Sequence, residues 1–335
     1  MKVNYGLAGC VIGTLFPLCV AHANDDSVVK DTRGTVSIVY ENDWVDGGKD
    51  RNYTNGIRLS YVSGTKPTDG LSKWVAEHML GTDQETVSRR GFAIGHSIFT
   101  PNDISTNQQL KDDHPYGAWL YGEYTLMNAK KDQVDQFTLQ LGVVGPSAGG
   151  EWVQNEVHKL IGADPANGWD NQLEDELGVV LSYDRRFRAL WQTGDATFGA
   201  DLTPSAGFSL GNIQTNFRIG GMVRIGQDLR TDYGPSRIRP ALAGAGYFTP
   251  SDKLSWYVFG GFEGRYVAHD IFLNGSLFKD GPSVKSNNFV GDFQAGFAFQ
   301  IVDTQFAFTY VERTPEFEGQ NGAHRFGAFT LSQKF

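Results

Sequence analysis

The sequence predicts an all-β fold: a 12-stranded antiparallel transmembrane β-barrel with one short helix in an extracellular loop. Three observations predict it. Most of the chain after residue 23 alternates apolar residues with polar or small ones. The chain closes on FGAFTLSQKF, a strand-like segment ending in the aromatic Phe335. Its connections also differ in length: GNIQT, FTPSDK and QIVDTQ read as tight periplasmic turns, QDLRTDYGPSRIRP and AHDIFLNGSLFKDGPSVKSN as long extracellular loops.

Alternation is clearest in three stretches. Phe137, Leu139, Leu141 and Val143 alternate with Thr138, Gln140 and Gly142. Phe217, Ile219, Gly221, Val223 and Ile225 alternate with Arg218, Gly220, Met222 and Arg224. Phe293, Ala295, Phe297 and Phe299 alternate with Gln294, Gly296, Ala298 and Gln300. A soluble sandwich would bury the apolar rows, whereas a membrane barrel turns them to lipid and keeps the polar rows in its lumen.

An export leader favours the barrel. MKVNYG, the apolar LAGCVIGTLFPLCV and the small-x-small Ala21-His22-Ala23 read as a signal peptide over residues 1–23, leaving 24–335 as the barrel domain. Leu7-Ala8-Gly9-Cys10 also matches a lipoprotein box, but no apolar stretch precedes it. Both cysteines, Cys10 and Cys19, lie in the leader, so the mature chain is expected to lack thiols and disulfides. No later apolar run approaches the roughly 20 residues of a spanning helix. A formal charge of −9 argues against nucleic acid as a partner.

Strands are expected near 34–42, 55–63, 91–99, 116–127, 135–144, 197–211, 215–227, 238–248, 255–267, 287–300, 304–313 and 324–335. An even count leaves both termini in the periplasm, and the loops after the first, third and fifth strands extracellular. LGVVLSYDRRFRAL, 177–190, finds no membrane slot and is expected to extend the wall above the membrane. The fifth-strand loop, 146–176, breaks the alternation. Val153, Val157, Leu160 and Ile161 recur at helical spacing, and Gly162 stops the helix. Gln154 and His158 share one face of it. LSKWVAEHML, 71–80, predicts another short helix before the third strand.

No P-loop, GxSxG, HExxH or dinucleotide fingerprint is present. What remains is a polar set at extracellular strand ends: Asn42 and Asp43, Thr54 and Gly56, and Gln154, Asn155, His158 and Asp164 on and beyond the loop helix. Carboxylate, amide, hydroxyl and carbonyl oxygens together suit a hard cation such as Ca²⁺. A neutral histidine can take a proton from water. Each residue also has a plainer reading: Asn-Asp at a strand end is ordinary turn chemistry, and a lone helical histidine can simply pack. His96 and His114 read as structural.

Glu41-Asn42-Asp43, Tyr53-Thr54-x-Gly56 and Gly142-Val-Val-Gly-Pro-x-Ala-Gly-Gly150 are followed by Val153-Gln154-Asn155-x-x-His158-x-x-Ile161-Gly162-Ala163. This series resembles the outer-membrane lipid A 3′-O-deacylases, most specifically from Gly142 to Ala163. The resemblance implies a twelve-stranded outer-membrane barrel, a Ca²⁺ cofactor and a lipid A or lipopolysaccharide substrate among outer-membrane lipids, acting as a monomer. By position it makes His158 the general base, with Gln154 in support and Asn42 beside them. It makes Asp43 the principal metal ligand, joined by Thr54 and Gly56, with Asp164 where the family can carry a glutamate. The family also draws basic residues from the loop after the third strand; here TPNDISTNQQLKDDHPYG offers only Lys111. A passive porin-like barrel and an outer-membrane phospholipase are the alternatives. The first would not need the helix or the Asn-Asp cluster, and the second normally pairs a serine with its histidine.

Overall fold

A computed structural model describes residues 30–47, 50–80 and 86–335; the predicted leader, 1–23, lies outside them. Twelve antiparallel strands close into one barrel. They are β1 (Thr35–Asn42), β2 (Asn52–Val62), β3 (Val87–Thr100), β4 (Gly117–Ala129), β5 (Gln133–Val144) and β6 (Glu176–Phe187). The second half comprises β7 (Gly199–Gly211), β8 (Gln214–Gln227), β9 (Ser251–Asp270), β10 (Phe289–Val302), β11 (Thr304–Arg313) and β12 (His324–Lys334). Closure is made by β1 and β12, in register from Thr35↔Lys334 to Asn42↔Gly327. Lys66–Pro67 and Trp191–Gly194 add short pairings to β3 and β7. Among the described residues no helix is long and apolar enough to cross a membrane.

The alternation becomes two surfaces. Ile38 and Tyr40 of β1 are exposed, while Val39 and Glu41 between them are buried in the barrel. Phe293, Phe297 and Phe299 of β10 stand out, whereas Gln294, Ala298 and Gln300 turn in. The outer rows would be costly in water and suit lipid; the inner rows need partners. They find them in buried ion pairs. Arg224 donates to Asp201 and Asp232, each at 2.6 Å, and Arg313 and Arg265 converge on Asp292, at 2.8 Å each.

Two expectations are overturned, and they cancel in the count. Residues 177–190 do not extend the wall above the membrane: 176–187 is β6, paired with β5 on one side and β7 on the other. Residues 238–248 are no strand. They belong to the β8–β9 connection, which folds back into the lumen. Arg237 donates to Glu41 at 3.1 Å, Gln294 donates to the Leu242 carbonyl at 3.1 Å, and Arg186 donates to the Ala243 carbonyl at 2.6 Å. Ile238, Leu242, Tyr247 and Phe248 are buried there. An apolar run surrounded by barrel wall is buried on every side, so its composition mimics a strand that its backbone does not form. Strands β7 and β8 therefore run opposite to expectation. GNIQT is a tight turn at the rim away from the termini, and QDLRTDYGPSRIRP begins the luminal segment at the termini's end.

The expected helix at 71–80 forms as α1 (Gly70–Val75) and a wider π turn, Ala76–Leu80. The luminal segment has a functional consequence. A lumen crossed by a folded-in segment with paired charges and apolar side chains is expected to close the water path of a porin. Planar bilayers containing the folded protein are expected to show no stable ohmic pore; single-channel recording checks this, and porin-sized steps would contradict it.

Candidate active site

The site lies on the outside of the wall, at the rim away from the termini. Outward residues on β3 are the even ones: Phe92 and Ile94 are exposed, and His96 and Ile98 are buried by the loop that follows β5. His96 reaches the Ala148 carbonyl at 2.9 Å, and Ile98, Ala118, Ala148 and Trp169 share one apolar cluster. Loop 146–176 is closed at its base, because Ser147 binds Asp175 through its hydroxyl (2.7 Å) and its N–H (2.8 Å). The Ser147 hydroxyl and N–H hold the Asp175 carboxyl below its usual range.

Helix α2 (Gly150–Ile161) crosses this outer surface. It starts at a glycine because a Cβ on Gly150 would stand 2.5 Å from the Ala118 Cβ and 2.6 Å from the Trp169 ring. It ends at Gly162, at φ 73°, whose N–H returns to the His158 carbonyl. The apolar residues that mark the helix in sequence do not all pack it. Leu160 and Ile161 turn outward, and the polar pair Gln154 and His158 is buried against the barrel.

That pair converges on a residue the sequence did not single out. Asp50 Oδ2 accepts from Gln154 Nε2 at 2.6 Å and lies 2.7 Å from His158 Nε2. Each orientation is fixed by chemistry. The Trp169 indole only donates, and it donates to Gln154 Oε1 at 2.8 Å, so the Gln154 amide must offer its NH₂ to Asp50. His158 Nδ1 bonds the Asp164 carbonyl, which only accepts, so Nδ1 carries the hydrogen. The contact from Nε2 to Asp50 then requires one proton between them.

Asp50 belongs to the loop between β1 and β2. Asp43 opens the turn that follows β1 and accepts the Arg51 N–H at 2.8 Å, which folds the loop back on itself. Asn42 caps that turn, accepting the Trp44 N–H at 2.9 Å, and donates to the Thr54 carbonyl at 3.0 Å. A bulge between Tyr53 and Asn55 inserts Thr54 on the outer face, its hydroxyl 2.7 Å from that of Thr100.

The structure thus gathers His158 and Gln154 around Asp50, with the Asp164 carbonyl on the far side of the imidazole and Asp43, Asn42 and Thr54 on the adjoining strand ends. It does not bring all predicted residues together. The Asp164 side chain is exposed, and Gly56 faces the lumen, where a Cβ would meet the Tyr53 hydroxyl at 2.0 Å. No group of three or more His, Cys, Asp or Glu side chains forms a ready metal cluster among the described residues. His114 is structural: it stacks on Phe99 and bonds the Pro115 carbonyl, and burial holds its imidazole below the usual range.

Compared with known families, residues 7–335 match the model of the outer membrane protein LpxR. The chain belongs to the LpxR family. This is the lipid A 3′-O-deacylase family that the stretch from Gly142 to Ala163 resembles, and its members are outer-membrane barrels. Among solved structures, LpxR from Salmonella typhimurium superposes with a TM-score of 0.73 at 22% identity, covering 90% of this chain and 100% of that one. The β domain of the Bordetella autotransporter BrkA gives a TM-score of 0.43 at 8% identity, covering 91% of this chain and 100% of that one. No curated protein matches the chain in sequence.

Within this LpxR-family barrel, Asp50 and Trp169 are what sequence reasoning missed. A faint signal existed for Asp50. Two buried polar side chains four apart on a helix need a partner, and the facing loop, VDGGKD, holds acidic residues. Nothing in the spacing chose between Asp46 and Asp50.

Proposed function

We propose that this outer-membrane barrel hydrolyses the acyl ester at the 3′ position of lipid A, with His158 as the base that activates water. The observation that carries this reading is the His158–Asp50–Gln154 cluster, its histidine and glutamine buried, on the outer side of the wall. A water-soluble substrate would be expected to meet its site in a lumen or a solvent cleft. Here exposed Ile57, Leu59, Phe92 and Ile94 lie along the wall below the cluster, a path an acyl chain can follow.

With Nδ1–H held by the Asp164 carbonyl, Nε2 is the nitrogen left for proton transfer. It takes a proton from water as the water oxygen attacks the ester carbonyl carbon. The tetrahedral intermediate collapses by breaking the bond to the sugar oxygen, and the Nε2 proton passes to that leaving alkoxide. The Nδ1–H bond to the Asp164 carbonyl holds the ring through both transfers, and Asp50, which accepts from Gln154 and faces Nε2 at rest, gives that position up to the attacking water. No serine nucleophile is required.

Ca²⁺ fits the donor chemistry of the adjoining strand ends. Asp43 and Asp50 would supply carboxylates, and Thr54 and Asn42 neutral oxygens, a hard set of the kind Ca²⁺ accepts. Bound there, the cation would supply polarisation of the ester carbonyl and stabilisation of its oxyanion. Gly56 could join only through its backbone. We further take the enzyme to act as a monomer.

Mass spectrometry of lipid A and of phospholipids, with and without expression of the protein, tests the reading. Loss of the 3′ ester-linked chains is expected. Unchanged lipid A would overturn it, and lysophospholipid in its place would point to a phospholipase.

A further inference from the structure

The outward face of α2 carries a large, uncovered apolar patch. Trp152 is 71%, Leu160 87% and Ile161 68% exposed, with Val157 half-exposed beside them. A helix at an ordinary soluble surface would turn this face inward and its polar residues outward. α2 does the opposite, and it cannot roll over, because Gln154 and His158 are tied to Asp50, Trp169 and the Asp164 carbonyl.

The location of the helix says what covers that face. Its loop buries His96 on β3, while Ile94, two residues down the same outer row, is exposed on the outer wall. Two residues of strand span roughly 7 Å, so the helix sits directly above the lipid belt. Neighbouring strands carry the belt up to its level: Leu139 and Leu141 on β5, and Leu177, Val179 and Leu181 on β6, are all exposed. Three charges on the helix are exposed: Glu156 and Lys159 pair with each other, and Glu151 stands in the first turn beside Trp152, whose amphipathic ring favours a headgroup boundary.

We propose that the face formed by Trp152, Val157, Leu160 and Ile161 lies among the acyl chains of the outer leaflet, so that the membrane itself seats the helix carrying Gln154 and His158. The helix is then an interfacial element lying in the membrane plane, with its polar side against the wall and its apolar side in lipid. Substrate chains in the same leaflet reach the cluster sideways, without leaving the membrane.

The mature chain is expected to lack cysteine, so single nitroxide labels are practical. Leu160→Cys, Leu141→Cys on the wall and Gln108→Cys in the exposed third-strand loop would be labelled in the full barrel, reconstituted in lipopolysaccharide–phospholipid vesicles. Heat-modifiable gel migration verifies folding in each case. The ratio of oxygen to nickel-chelate accessibility at Leu160 should match Leu141 and exceed Gln108 several-fold. A ratio matching Gln108 would overturn the proposal. So would dipolar broadening between labels at Leu160, which would mean that a second copy covers the face. The readout needs no turnover, so it stands or falls separately from ester hydrolysis.

Discussion

His158→Ala is expected to lower lipid A deacylation by about 10²- to 10⁴-fold, the range general-base catalysis supplies. The barrel should remain folded. His158 contributes no strand and sits on a helix outside the wall, and the closing register of β1 and β12 does not depend on it. Rates measured by mass spectrometry of lipid A, beside heat-modifiable migration on gels, separate the two effects. A folded variant with wild-type turnover would remove His158 from the reaction. Loss of the folded band would instead mean that α2 docking is part of barrel stability.

The second large effect is expected at Asp50. It is the carboxylate that touches both Gln154 and His158, and it lies in a loop held by the Arg51–Asp43 hydrogen bond. Asp50→Ala removes one of the two anchors of the imidazole and leaves the Gln154 amide without its acceptor. Loss of a positioning contact costs up to about 10²-fold in turnover. The fall should appear in kcat more than in KM, since Asp50 orients the base rather than holding the acyl chains. Asp50→Asn separates charge from position, because the amide keeps an acceptor in place without the negative charge. If Asn restores most of the Ala loss, Asp50 acts by holding the ring. If Asn is as impaired as Ala, the charge itself is used, either on the imidazolium or on a cation shared with Asp43. Wild-type kcat in both variants would remove Asp50 from the site.

Most of the barrel was legible because lipid imposes a strict rule. A spanning strand must alternate, and segments such as 135–144 and 287–300 do so visibly. The two errors came where the rule has exceptions. Segment 238–248 is apolar without being a wall strand, since the lumen buries it as completely as lipid would. Strand β6, 176–187, found no slot because the luminal segment 238–248 filled the twelfth place in the count. Each error alone would have flipped the parity, but together they cancel, so the placement of the rims at β1–β5 survived, while the directions of β7 and β8 did not.

The candidate site was partly legible for a different reason. Gln154 and His158 fall on one helical face by spacing alone, the polar strand ends offered Asn42, Asp43 and Thr54, and family resemblance gave these residues their roles. By itself, the sequence determined the alternating wall and the short helix with two polar residues on one side. Those follow from local periodicity, which each segment carries internally. Only the tertiary structure decided that this polar side faces the wall, that Asp50 and Trp169 meet it there, and that Gly56 turns into the lumen. These depend on which distant segments close-pack. Asp50 and His158 are 108 residues apart, and no periodicity spans that distance.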